Sequence, residues 1–480
     1  MARRLLTLLA ALVLVLTLGQ STANAASFTN PVKTVKGADP WISYHDGNYY
    51  LVTTSWSDVI TMRKSPTLGG LSTAPSVQVW SGRADNAARC CNIWAPELHY
   101  SGGKWYLYYV AGQDVTDYNP TQRSHVLEST GSDPMGPYTY KNRLNSSWML
   151  DPSVLNLNGK LYMLGSSSGG GTQNLVIAPM SNPYTVSGSY STISTPVHAW
   201  EKSGAAVNEG PEVLQRNGKT FLIYSASGCW TPDYKLGQLT LTGSDPLSAA
   251  SWTKKSTPVF QRNDAAGVYG PGHNGFFTSP DGTETWNVYH ANDSASDGCD
   301  NGRTTRAQKV SWNGDGTPNP GTPVAPGTAL AGPAGETAQA PSAYTIVNRS
   351  SGKCLEVAGG SSSDGANVVQ WACSGGANQK WRIEDQGDDT SRLVNVASGK
   401  VLDTADCSSA DGADLRQWSW LNNTCQKFRL ITTAAGWVRI TNQATGKVAD
   451  VADCSPADGA DVRQWSWLNN TCQQWQVKPA

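Results

Sequence analysis

The sequence has almost no net charge: its formal balance is −1 at pH 7, and charged residues make up only 15% of its 480 positions. A basic surplus is what recruits nucleic acid or an anionic membrane, and its absence excludes both as main partners. Helical periodicity is lacking beyond the leader, which argues against an α-helical fold. Cys-x-x-Cys pairs are lacking too, so the ten cysteines do not read as a zinc site. A second long apolar run is also missing, and the first is too short for a membrane helix.

Gly, Ser, Thr, Asn, Tyr and Trp are abundant instead, a mixture of short strands and tight turns. The nineteen tryptophans suit a core, and their flat faces also suit a sugar ring. The length exceeds one ordinary core, so two domains are expected. Arg3 and Arg4, the apolar run Leu5 to Leu18 and Ala23-Asn24-Ala25 form an export signal over residues 1–25. A secreted, extracellular chain starting near Ala26 follows, and disulfides become available.

From there a hairpin recurs. Its turns are Asp46-Gly47, Gly102-Gly103, Asn158-Gly159, Asn217-Gly218 and Asp281-Gly282, at intervals of 56, 56, 59 and 64 residues. Each leads into an aromatic-rich strand, and these dipeptides accept the positive φ of tight hairpins. Five antiparallel units in register predict an all-β fold that begins with a five-bladed β-propeller over residues 26–335. Seven or eight residues before the turns stand Asp39, Trp94, Asp151, Glu209 and His273. In a propeller, equivalent positions converge on the axis. Three acids there suit an oxygen-ligand metal site or glycoside hydrolysis, in which one carboxyl protonates the leaving oxygen and another activates water. The tryptophans favour the sugar. Glu212, three residues after Glu209, reads as structural, because an odd offset in a strand turns it off the axis-facing side.

Asp39-Pro40, Trp94-Ala95-Pro96-Glu97-Leu98, Asp151-Pro152-Ser153 and Glu209-Gly210-Pro211 resemble the signature of glycoside hydrolase family 43, over about Asn30 to Pro333. The resemblance implies an inverting mechanism with Asp39 as general base, Asp151 as modulator and orienter, and Glu209 as general acid. It implies Trp94, His273 and Arg303 as substrate-binding residues, with Arg306 in reserve to Arg303. It requires no cofactor for the chemistry. For His273 it leaves two readings: a structural calcium or sodium ion on the axis, or a buried, hydrogen-bonded imidazole. The segments around Cys90-Cys91, Gly228-Cys229-Trp230 and Gly270 to Phe277 look most like the exo-acting arabinofuranosidase branch. That implies action on arabinan or arabinose side chains of plant cell-wall polysaccharide. β-Xylosidase, endo-arabinanase and galactanase activities share the scaffold, and a purely carbohydrate-binding protein is the alternative of another class.

Residues 336–343 read as a linker, and residues 344–480 repeat three times. Gln370-Trp371, Gln417-Trp418 and Gln464-Trp465 lie 47 residues apart, as do Glu356, Asp403 and Asp450. Three such units predict a β-trefoil, and the Gln-x-Trp mark resembles the ricin-B-type lectin, the family 13 carbohydrate-binding module. Trp381, Phe428 and Trp475 read as its core. Trp371, Trp418 and Trp465, with Asp403 and Asp450, read as sugar-binding. Cys354–Cys373, Cys407–Cys425 and Cys454–Cys472 each staple one repeat. Cys229 pairs with Cys299; Cys90 and Cys91 form a vicinal bridge, or one of them reaches a distant loop. A monomer is expected.

Overall fold

The computed structural model describes residues 27–337 and 339–480; the predicted export signal lies outside them. The described chain is built from strands, with one four-residue α-helix, Gly82–Asp85, and short 3-10 turns. Four of the predicted turns are two-residue hairpins with both residues at positive φ: Asp46-Gly47 (45°, 73°), Gly102-Gly103 (58°, 84°), Asn158-Gly159 (52°, 80°) and Asn217-Gly218 (50°, 74°). That geometry matches the right-handed twist of the strands it joins. The fifth turn is wider. Thr278 pairs with Thr285, and Asp281 closes the loop by accepting from Ser279 Oγ and Thr283 N.

The first domain is a β-propeller. Four groups of strands stand as sheets of their own, running through Cys91–Arg143, Leu150–Ser194, Asn208–Lys254 and Tyr269–Lys309. The group Trp41–His45, Asn48–Val52, Val59–Ser65 and Ser76–Ser81 differs from the prediction. It is not a separate sheet, because its outer strand Ser76–Ser81 pairs in parallel with Phe428–Ala434 of the second domain, Val77 opposite Leu430 and Gln78 opposite Ile431. The innermost strands of the five groups neighbour one another in a closed circuit. It runs from Trp41–His45 through Cys91–Ser101, Leu150–Leu157, Asn208–Arg216 and Tyr269–Thr278 back to Trp41–His45. The N-terminal segment closes the ring by lying along the last sheet, with Val32 N donating to Thr305 O and Thr305 N to Lys33 O. Gly37 is required there, since a Cβ would sit 2.4 Å from Thr305 N.

The second domain is a three-repeat fold around one core in which Trp381, Phe428 and Trp475 are buried, as predicted. The indole N–H groups of Trp381 and Trp475 donate to Leu355 O and Ala449 O. Gln370 and Gln417 tie each repeat to a neighbour through backbone carbonyls, Ser455 and Ala457 for the first, Ser361 and Ser363 for the second. All five disulfides join the predicted partners, including the vicinal pair Cys90–Cys91.

The domains are packed together. Val77 joins the core of the second domain, Lys36 pairs with Asp389 at 2.9 Å and Arg63 with Asp385. Glu336, predicted to begin a linker, is instead buried against the propeller, where Oε1 accepts from Leu68 N at 2.8 Å.

Candidate active site

The site is built on a backbone distortion that recurs around the ring. Four inner strands carry a one-residue bulge at the same place. Trp94 and Glu97 face Val110 and Tyr108; Leu150 and Ser153 face Ser166 and Leu164. Glu209 and Glu212 face Ser225 and Ile223; Gly272 and Gly275 face His290 and Val288. Inside each bulge one residue has left-handed φ: Ala95 44°, Asp151 55°, Gly210 53° and His273 45°; Asp39 matches them at 51°, just ahead of the first inner strand. A proline follows four of the five, and proline keeps its predecessor out of the right-handed helical region. Held in this conformation, a non-glycine residue costs about 1–3 kcal/mol, which the surrounding structure must over-determine.

Two expectations are corrected here. The residues at the repeated position are Asp39, Ala95, Asp151, Gly210 and His273, so Trp94 and Glu209 come one residue before it. And Glu212 does not turn away from Glu209. Their cross-strand partners Ile223 and Ser225 are two apart and share a face, so the bulge returns Glu212 to the side Glu209 occupies.

Asp39, Asp151, Glu209 and His273 converge. Asp39 Oδ1 lies 3.3 Å from Arg303 Nη1, 3.4 Å from His273 Nδ1 and 3.3 Å from His290 Nδ1. Its Oδ2 accepts from Thr54 Oγ1 at 2.5 Å. Burial pushes this carboxyl up, but His273 and Arg303 outweigh it and hold Asp39 well below the usual carboxylate range. Burial lowers His290 to about 4, so the ring is neutral near pH 7 and its Nδ1 accepts from Asp39 N. Asp151 moves the other way. Burial, aided by Glu209 and Asp39 and opposed by His273, raises it to about 7, and its Oδ2 accepts from Gly210 N at 3.0 Å.

Glu209 is also raised by burial, against hydrogen bonds that favour its ionised form: Tyr234 OH to Oε1 at 2.6 Å and Gln173 Nε2 to Oε2 at 2.8 Å. Tyr234 is itself fixed by stacking on His290, with ring centroids 5.5 Å apart and planes 6° from parallel. Removing its hydroxyl takes away a donor to the carboxylate. In Tyr234→Phe the Glu209 carboxyl should therefore rise further, moving the basic limb of kcat/KM to higher pH while kcat falls; a limb that stays put or moves down contradicts this role.

Of the predicted binding residues, Arg303 is at the site and Arg306 is not; Arg306 pairs with Asp293 and Thr304 Oγ1 instead. Trp94 packs edge-on against Trp56 at 5.1 Å, and neither buried indole N–H has a partner among the described residues. Thr54, Trp56, Gln173, Tyr234 and His290 were not found from sequence, because they sit outside the repeated Pro-Gly motif. Among the described residues no group of three or more His, Cys, Asp or Glu is placed to hold a metal. Four surrounding carboxyls draw the His273 imidazole upward against burial.

In the lectin domain each predicted sugar-binding indole lies over a glycine of another repeat: Trp371 over Gly459, Trp418 over Gly365, Trp465 over Gly412. Trp418 and Trp465 are also covered by Arg416 and Arg463, 4.4 and 4.5 Å from the ring centroids. The same arginines reach Asp403 and Asp450. The predicted partners are thus brought together through arginine rather than left open. Trp371, at 44% exposure, is the most open of the three.

The family model for glycosyl hydrolases family 43 matches residues 28–318, and that for the ricin-type β-trefoil lectin domain matches residues 330–418 and 424–480. An extracellular exo-alpha-(1->5)-L-arabinofuranosidase of Streptomyces avermitilis is 43% identical over 344 residues, 68% of this chain and 70% of that protein. Alpha-L-arabinofuranosidase 43 of Humicola insolens is 39% identical over 305 residues, covering 60% of this chain and 62% of that protein, so the chain spans less than two thirds of its length. The crystal structure of an alpha-L-arabinofuranosidase from Lactobacillus brevis superposes with a TM-score of 0.59 at 36% identity, over 63% of this chain and 98% of that one. With the propeller, its ring of acids and these matches together, the chain belongs to glycosyl hydrolases family 43 and carries a ricin-type lectin domain on the same polypeptide.

Proposed function

We propose that this protein is a secreted, inverting α-L-arabinofuranosidase that removes terminal arabinose from arabinan or arabinose-substituted hemicellulose. The observation that carries it is the opposed tuning of two convergent acids: Asp39 held ionised by His273 and Arg303, Glu209 drawn toward its protonated form by burial. Asp39 takes a proton from water as the water oxygen bonds to the anomeric carbon. Glu209 gives its proton to the departing glycosidic oxygen as the carbon–oxygen bond breaks. Asp151, bonded to the Gly210 amide beside Glu209, positions the acid. Arg303 lies against Asp39 and over the Trp56 ring, with Trp94 packed on Trp56, and these side chains form the Asp39 wall of the site.

The closed circuit of inner strands supports five blades, with Trp41–Ser81 as the first although it runs on into the lectin domain. Residues 26–335 are then the catalytic unit and 344–480 a module that holds it on plant polysaccharide as a monomer. The deciding experiment compares aryl α-L-arabinofuranoside with aryl β-D-xyloside, and follows sugar released from debranched arabinan. Preference for the arabinoside and release of monomeric arabinose are expected. Preference for the xyloside makes it a β-xylosidase, oligomeric products make it endo-acting, and binding without release removes the enzyme reading.

A further inference from the structure

Trp230, at 56% exposure, is the one exposed tryptophan of the catalytic domain among the described residues. It is nonetheless held. A Cβ on Gly228 would meet Cε2, Cζ2 and Cδ2 of the indole at 2.7, 2.7 and 3.1 Å. Cδ2 lies inside the ring system, out of reach of an approach in the ring plane, so Gly228 lies against the face of the indole. Gly204 flanks the same ring, where a Cβ would come 3.0 Å from Nε1. One face of the indole thus rests on glycine backbone, and the exposure belongs to the rest of the ring. The loop that carries Trp230 is part of the active site. Four residues on, Tyr234 donates to Glu209 Oε1 at 2.6 Å. Gly270 N donates to Pro232 O at 2.9 Å, which docks the loop on the inner strand that carries His273. Beside Trp230, Cys229 is bridged to Cys299, four residues before the Asp39 partner Arg303.

We propose that Trp230 is the platform for the leaving group, stacking the sugar ring next to the bond that is cut. The acid decides the side. The departing oxygen is the one Glu209 protonates, so the rest of the substrate continues past Glu209 and its partner Tyr234, where the Trp230 loop stands. A flat indole suits the C–H face of a sugar ring, and a ring already held on one face loses little freedom when the other is covered. Arg303, Trp56 and Trp94 form the wall at Asp39; Trp230 supplies the opposite one. Covering Gly228 would account for one face of the indole only and leaves the open face without a purpose. The disulfide gives the platform a fixed place, because it ties the loop beside the acid to the loop that brings Arg303 to the base.

This role rests on the hydrolase reading, and the test keeps the two apart. The full chain and its Trp230→Ala and Trp230→Phe variants are compared on arabinotriose and on α-L-arabinofuranosyl fluoride, whose departing fluoride has no ring to stack. Trp230→Ala should raise KM for arabinotriose about five- to tenfold with kcat nearly kept, and stay within about twofold of the wild type on the fluoride. Trp230→Phe restores a flat ring and should recover most of the loss. The kcat/KM–pH profile should not move in either variant, because the bond from Tyr234 to Glu209 is untouched. An unchanged KM for arabinotriose overturns the proposal. Equal losses on both substrates, a displaced profile, or a phenylalanine variant as weak as the alanine one overturn it as well, since each points to a distorted loop. If the wild type cleaves xylosides instead, the arabinose reading falls, and the same comparison with the xylose counterparts decides the platform by the KM split alone. A wild type that cleaves neither series overturns both.

Discussion

Glu209→Gln should lower kcat on arabino-oligosaccharides by about 10²- to 10⁴-fold, the range a positioned general acid contributes. The substitution keeps the shape of the side chain and removes only the proton it could deliver. Its oxygen can still accept from Tyr234, and a flip of the Gln173 amide restores the second hydrogen bond. Folding should therefore be unchanged, and the thermal melting curve checks that. The loss should depend on the leaving group. An aryl arabinoside with an acidic phenol departs without much protonation, so its rate should fall much less than that of the oligosaccharide. Product chromatography with both substrates measures the difference. A variant as active as the wild type on oligosaccharides would remove Glu209 from the acid role.

Asp39→Asn should fail on every substrate alike, because activating water is needed whatever leaves. A loss of about 10³-fold or more on both the aryl arabinoside and the oligosaccharide is expected, and a loss confined to the oligosaccharide would reassign the base. This variant should also be less stable. Asp39 balances Arg303 and His273, and removing one member of a buried charged group costs about 3–5 kcal/mol. The sign with pH follows from its depressed ionisation. A carboxyl whose folded pKa lies below the unfolded one contributes stability above the unfolded value and loses it as pH falls through the folded value. The melting temperatures of wild type and variant should thus differ at neutral pH and converge under strong acid.

The fold was legible because its punctuation is local. Asp-Gly, Asn-Gly and Gly-Gly turns mark hairpins through a backbone requirement that few other residues meet, and the 47-residue phase of Gln-Trp marks the lectin repeats. The axial acids were legible for the same reason, each beside a Pro or Gly. The error of one residue at Trp94 and Glu209 came from accepting either seven or eight residues before the turn. A constant count of seven gives Asp39, Ala95, Asp151 and Gly210, each followed by proline, and that proline was the available signal. Glu212 was misread because parity holds only along an unbulged strand, and nothing in a strand's own composition says where its partner skips a residue. His290, Tyr234 and Gln173 were invisible for another reason. They reach the acids from second and third strands and from a loop, where ordinary aromatic and polar residues carry no motif. Arg416 and Arg463 covering Trp418 and Trp465 likewise depend on side-chain direction across a hairpin.

The parallel pairing of Ser76–Ser81 with Phe428–Ala434 makes the lectin domain part of the same hydrogen-bonded sheet as the catalytic ring's first strands. A flexible leash would let an anchored enzyme sweep a volume set by its length. Here the offset between anchor and cleavage point is a matter of strand register, fixed to within the play of a β-ladder. On the proposed function such a molecule would work as a caliper: of all the arabinose ends near a point of attachment, it would address those lying at one distance and one orientation along the polymer.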